Sequence, residues 1–247
     1  MAKDFKNNNN ILLFLTGTIN TYNKEFSVLN DPEKRRTDYI ETIRYYLTTY
    51  EYPILFVENS NENISSQFEM EINNKRLEIL CFDGNNYDEE FGKGLGEMLC
   101  IGYGIQNSLF IRKNPFIFKI TGRYKILNLK DFINFYKKHS DTELTADLTN
   151  NFKHSQSCIF GFRSFFAKNF LLKYSSILSD TKGVYFEHAL AKAVLSAMSE
   201  NINFYIFRYY PKIKAISGTT GKAYNISFFY FSLRRLKYFI RYYIMIR

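Results

Sequence analysis

Four short runs of this sequence carry residue types able to hold an anion or move a proton. In Gly92-Lys93-Gly94-Leu95-Gly96-Glu97, small residues let backbone amides approach a phosphate and Lys93 adds a charge; helix-capping glycines in a flexible loop are the plain reading. In Lys119-Ile120-Thr121-Gly122-Arg123-Tyr124, an apolar run delivers a hydroxyl, a glycine and a guanidinium. Arg123 suits bidentate recognition of phosphate or carboxylate, or else a surface ion pair. Tyr185-Phe186-Glu187-His188 opens an Ala-rich stretch, where Glu187 is either a capping acid or a general base. Ser217-Gly218-Thr219-Thr220-Gly221-Lys222 offers hydroxyls, glycines and a lysine, but its glycine spacing is wrong for a P-loop and Ala223 follows the lysine, where Ser or Thr is required. An NTPase is disfavoured, and the run reads as a lid over a diphosphate or as a solvent loop.

Other chemistries lack their residues. There is no HExxH, paired CxxC or GxSxG, and His139, His154 and His188 form no local ligand set. Three widely spaced cysteines, Cys81, Cys100 and Cys158, suggest neither zinc nor a disulfide framework.

The elements that must position the four runs alternate. Apolar runs at 11–15, 53–57, 77–82 and 116–120 read as strands buried on both faces, with helices at 31–50 and 96–110 between them. Asp31-Pro32-Glu33 supplies an N-cap, a first-turn proline and an acid. Further strands are expected at 158–162 and 204–209, and a helix at 187–198. The pattern predicts one α/β domain with a mostly parallel central sheet flanked by helices, whose ligand site lies beyond the carboxyl ends of the strands.

The 247 residues carry a formal net charge of +9 and a sequence pI near 9.2, so polyanions are attracted. Phe228 to Arg247 is basic and aromatic without an acidic residue. Arg234, Arg235, Lys237, Arg241 and Arg247 punctuate its apolar positions, which suits an amphipathic helix at an anionic membrane surface or one packed on the domain. The polar Met1–Asn10 stretch lacks the apolar run of a signal peptide, so the expected location is the cytoplasm.

Thr16-Gly17, Glu58-Asn59, the Gly92–Glu97 run, the Thr-Gly-Arg-Tyr turn and the Phe-Glu-His helix follow in an order that resembles small bacterial GT-A-type glycosyltransferases of surface-polysaccharide clusters. The resemblance covers roughly residues 11 to 225. It implies a GT-A-like, Rossmann-type catalytic domain over 1–225 and a membrane-associating segment over 226–247. It also implies transfer of a sugar from a nucleotide sugar to a lipopolysaccharide, capsular or lipid-linked acceptor at the inner membrane face. On this resemblance the nucleoside lies near Thr16, Gly17 and Glu58. The diphosphate lies near Lys93, Gly94, Thr121, Gly122, Arg123 and the Ser217, Thr219 and Lys222 loop. Glu187 and Arg123 are the catalytic candidates. Such enzymes usually hold a divalent magnesium or manganese ion on an Asp-x-Asp; this chain has none, so no metal cofactor is certain, and Arg123 with Lys93 could take its place. Three alternatives stand beside this reading: a nucleic-acid-binding protein, a nucleotidyltransferase that makes rather than spends an activated sugar, and a catalytically inactive homologue.

Overall fold

Every position of β1 (Ile11–Gly17) is buried, as in a strand covered on both faces. The computed structural model describes residues 11–22, 30–217, 221–224 and 227–245. Asp31 caps α1 (Pro32–Thr49), its carboxylate accepting the Glu33 and Lys34 N–H groups at 3.0 and 3.3 Å, and α1 returns the chain to β2 (Ile54–Glu58). Next come α2 (Glu69–Asn73), β3 (Leu77–Cys81), α3 (Gly92–Asn107), α4 (Leu109–Lys113) and β4 (Phe116–Thr121). β5 (Lys125–Ile126), α5 (Leu129–Lys138), β6 (Leu144–Ala146) and β7 (Ile159–Phe162) follow. α6 (Ser164–Phe166) runs on as a π turn and 3-10 turns to Ile177; α7 (Phe186–Ser199), β8 (Phe204–Ile206), β9 (Ile213–Lys214) and α8 (Phe228–Met245) complete the order.

The main sheet has the order β3-β2-β1-β4-β7-β6-β8. β7 alone runs against its neighbours, and the other pairings are parallel. This mostly parallel, helix-flanked arrangement with a C-terminal helix is the GT-A-like, Rossmann-type architecture the sequence implied. β5 and β9 form a separate antiparallel pair.

The pleat decides which side chains reach the site. Phe14 is level with Lys119 and Thr16 with Thr121 across β1 and β4, so these four share one face. That face meets α3: a Cβ on Gly104 would lie 2.6 Å from Phe14 and 3.2 Å from Val57. Gly17 and Phe56 belong to the opposite face, against Tyr39 of α1.

Two elements differ from the sequence reading. α3 begins at Gly92 rather than Gly96, so the glycine run is the helix's first turn and not a loop before it. α5 and β6 fill a stretch the sequence left unassigned, and α5 buries Leu129, Phe132, Ile133 and Phe135.

α8 docks by a narrow side. The buried Tyr238 hydroxyl donates to Asp147 Oδ2 at 2.5 Å, and Arg241 pairs with Asp147 Oδ1 at 2.5 Å and donates to the Leu148 carbonyl at 3.0 Å. Tyr242 packs edge-on against Phe135. Phe229, Leu233, Leu236, Ile240 and Ile244 remain exposed. At 100° per residue they and Phe239 and Tyr243 form one broad apolar face, with Arg235 and Lys237 on its two rims. No described helix is long and apolar enough to cross a membrane.

Candidate active site

Where β1 and β4 end, the chain turns away on both sides and leaves a cleft of about 640 Å³. Three cations line one part of it. Arg35, buried on α1, donates from Nε and Nη2 to the Thr18 carbonyl at 2.8 and 2.5 Å, holding the loop after β1. Arg123, just beyond β4, pairs with Asp38 at 3.7 Å. Lys93 stands in the first turn of α3. Burial lowers the Lys93 ammonium to about 8; Asp180 opposes the shift, while Arg35 and Arg123 add to it. Burial likewise lowers Arg35, and Arg123 pushes the same way. Arg35 and Arg123 thus disfavour the charge on Lys93, and Arg123 disfavours that on Arg35.

The floor is a buried ion pair. Lys119 is wholly buried, and its Nζ meets the Glu97 carboxylate of α3 and donates to the Ser157 carbonyl at 3.0 Å. The Phe160 and Phe186 rings lie 5.7 and 5.6 Å from the ammonium. Burial pulls Lys119 below the ordinary lysine range, and Cys158 and Glu187 work against that pull. Thr16 Oγ1 donates to the same Glu97 oxygen at 3.4 Å. Glu97 therefore faces the cleft with its orientation fixed from below and beside.

The far wall comes from the start of α7. Glu187 accepts from the Ser157 hydroxyl at 2.6 Å, and Tyr185, 46% exposed, lines the cleft with it. Asp180 lies between the two ends: burial raises its carboxyl, the Lys93 amide and ammonium lower it, and Glu187 raises it. The left-handed φ of +61° at Gly92 and the Asp180 carboxylate against its hydrogens explain that glycine. Gly94 admits α7, since a Cβ there would lie 3.0 Å from the Phe186 nitrogen.

Thr16, Gly17, Lys93, Gly94, Thr121, Arg123, Glu187 and Ser217 all line the one cleft. Gly122 sits behind it, its N–H donating to the Thr16 carbonyl at 2.9 Å. Glu58 is wholly buried outside it and accepts the backbone N–H groups of Ile19, Ser60 and Glu62 at 2.9 to 3.0 Å, so it organises the loops after β1 and β2. Lys222 is exposed and does not line the cleft, its carbonyl accepting the Ser217 N–H at 2.9 Å; Thr219 lies outside the described residues. Arg35, Glu97, Asp180 and Tyr185 also line the cleft and were not among the expected site residues. Glu97 and Tyr185 stand inside two of the four runs; Arg35 and Asp180 carry no local signal.

Among solved structures, the chain is similar to a putative nucleotide-diphospho-sugar transferase from Desulfovibrio desulfuricans G20, with 7% identity, a TM-score of 0.45 and 81% and 80% of the two chains covered. It is similar to a cytidylyltransferase from Leptospira borgpetersenii, with 12% identity, a TM-score of 0.39 and 81% and 76% covered. For a mannosyltransferase from S. cerevisiae the values are 11%, 0.41, and 81% and 69%. No family model and no curated protein matches the chain.

The cleft's donors do not suit a divalent ion. Among the described residues no group of three or more His, Cys, Asp and Glu could hold a metal. Glu97 is committed to Lys119 and Thr16, Asp180 to the start of α3, and Glu187 to Ser157.

Proposed function

We propose that this chain is a glycosyltransferase that moves a sugar from a nucleotide-sugar donor to a hydroxyl of a glycan or lipid-linked acceptor. The observation that carries the reading is the convergence of Arg35, Lys93 and Arg123 on the strand-end cleft that also holds Glu187. Like charges held in a partly dry cleft repel, and a diphosphate relieves that repulsion. In the transfer, the acceptor oxygen bonds to the anomeric carbon as the carbon–oxygen bond to the diphosphate breaks. The electron pair leaves with the diphosphate, where the three cations offset the growing charge. The hydroxyl proton passes to Glu187, which Ser157 orients.

The acceptor class fits a lipopolysaccharide or capsular glycan, with the protein peripheral on the inner face of the membrane. What supports this is the apolar face of α8 rimmed by Arg235 and Lys237, a pattern suited to anionic headgroups. Cosedimentation with phosphatidylglycerol vesicles, reduced by Leu236→Asp/Ile240→Asp and absent with phosphatidylcholine, is the expected result; equal pelleting with both lipids would overturn it.

The donor site is tested by thermal shift against UDP, GDP, CMP, TDP and their sugar conjugates, with manganese and then with chelator. At about a hundred times Kd a ligand stabilises by about 2.7 kcal/mol. The expected result is a shift with one nucleotide that survives chelator and is lost in Arg123→Met. No shift with any nucleotide, together with strongly salt-dependent oligonucleotide binding, would favour the nucleic-acid reading. A shift without any sugar transfer would favour an inactive homologue.

A further inference from the structure

The wall that holds Glu187 offers more than a base. Tyr185 is the residue before α7, with its N–H donating to His188 Nδ1 at 3.1 Å. Its ring lies near-parallel to that imidazole, with centroids 5.7 Å apart and planes at 28°. His188 is braced in turn by His154, edge-on at 5.9 Å. Tyr185 is 46% exposed and lines the cleft, and with its ring stacked on an imidazole it offers a preformed flat apolar platform. Residues 156–157, ahead of β7, supply the rest of the wall. Gln156 lines the cleft, and its side-chain Oε1 is buried without a hydrogen-bond partner, while Ser157 holds Glu187. Leaving a buried acceptor unmatched is unfavourable, and a ligand hydroxyl that donates to it removes that cost.

Resting on the transferase reading, we infer that Tyr185, Gln156 and Glu187 form an acceptor subsite for a neutral sugar ring. The ring's C–H face packs on Tyr185, one hydroxyl donates to Gln156 Oε1, and the reacting hydroxyl points at Glu187. The ligand class follows from what the wall presents: an apolar face and oxygens that accept. A sugar ring brings an apolar face and hydroxyl donors. A phosphorylated headgroup would instead need the cations, which are committed to the donor end. A nucleobase could also stack on tyrosine, but there it would adjoin the base that must meet the acceptor.

The test is saturation-transfer NMR of the full-length protein with methyl glucoside, galactoside, mannoside and N-acetylglucosaminide, alone and with the nucleotide found by thermal shift. Wild type is expected to transfer saturation to the ring protons of at least one glycoside. Tyr185→Ala should lose that signal, with Tyr185→Phe keeping it and Gln156→Ala weakening it severalfold. Because Tyr185 is partly exposed, Tyr185→Ala is expected to keep its melting temperature and its nucleotide shift. A nucleotide-binding protein that transfers saturation to none of the glycosides, or to the same glycoside undiminished in Tyr185→Ala, overturns the subsite. Loss of the nucleotide shift in Tyr185→Ala would assign the platform to the nucleobase and also overturn it. Glycoside binding without any nucleotide binding would keep the subsite and sink the transferase reading, and binding of neither would sink both.

Discussion

The Lys119 ammonium meets the Glu97 carboxylate directly beneath the cleft, where β4 passes under the first turns of α3. Lysine is wholly buried there, a placement that is tolerable only because a charge and hydrogen-bond acceptors surround it.

Removing one partner should be worse than removing both. Lys119→Met strands a largely buried carboxylate and is expected to cost about 3–5 kcal/mol. Lys119→Met/Glu97→Gln should recover a good part of that loss, since the pair's desolvation nearly offsets its attraction. Urea denaturation of the two variants decides it: equal midpoints would mean the ion pair carries no coupling.

The pH dependence of ligand binding should trace to Lys93. Its folded value of about 8 lies below the ordinary 10.5, so between those limits the unfolded chain binds the proton and the folded chain does not. Stability attributable to this group therefore rises with pH through that window. Nucleotide affinity moves the other way, falling above about pH 8 as the cation is lost, and Lys93→Arg should flatten that fall. Calorimetric titration at pH 7, 8 and 9 measures it; parallel profiles for wild type and Lys93→Arg would remove Lys93 from the anion site.

β1 to β4 were legible because each is a largely apolar run, and the cleft was legible because residues 16–17 and 121–124 follow two of those runs and Glu187 opens an Ala-rich helix. Arg35 was not. It sits in Glu33-Lys34-Arg35-Arg36, where nothing local distinguishes the one arginine that turns inward to the Thr18 carbonyl. Glu58 was open to misplacement because it ends a strand as a ligand would, and only the loops folding over it show that its oxygens are spent on backbone amides. β6 spans three residues, too few for a periodic signal. α5, with Leu129, Phe132, Ile133 and Tyr136 at helical spacing, was readable from its pattern.

Two glycines of α3 should respond to alanine with opposite sign. At Gly104 a Cβ would lie 2.6 Å from the Phe14 ring, so Gly104→Ala overpacks the helix against β1 and should cost about 1–3 kcal/mol. At Gly102 the nearest atoms are Leu172 methyls at 3.5 and 3.8 Å, ordinary contact. Gly102→Ala should therefore stabilise by up to about 1 kcal/mol through helix propensity. Melting temperatures that fall together would show that α3 lies closer to its neighbours than this packing.

The docking of α8 should depend on one carboxylate. Asp147 is buried and takes both the Tyr238 hydroxyl and the Arg241 guanidinium. Asp147→Ala leaves a buried hydroxyl and a partly buried cation without that partner, at about 2–3 kcal/mol. The loss should be local, because α8 keeps the Arg241 hydrogen bond to the Leu148 carbonyl, the Arg208 guanidinium over its rings and ring packing such as Tyr242 on Phe135 and Tyr238 on Tyr210, while the sheet's own ladder is untouched. Hydrogen exchange is expected to accelerate across Phe228–Met245 and to stay slow in β1 and β4. Vesicle binding should persist, since the exposed apolar residues lie on the other side of the helix. Uniform acceleration across the sheet would instead make α8 an integral part of the domain core.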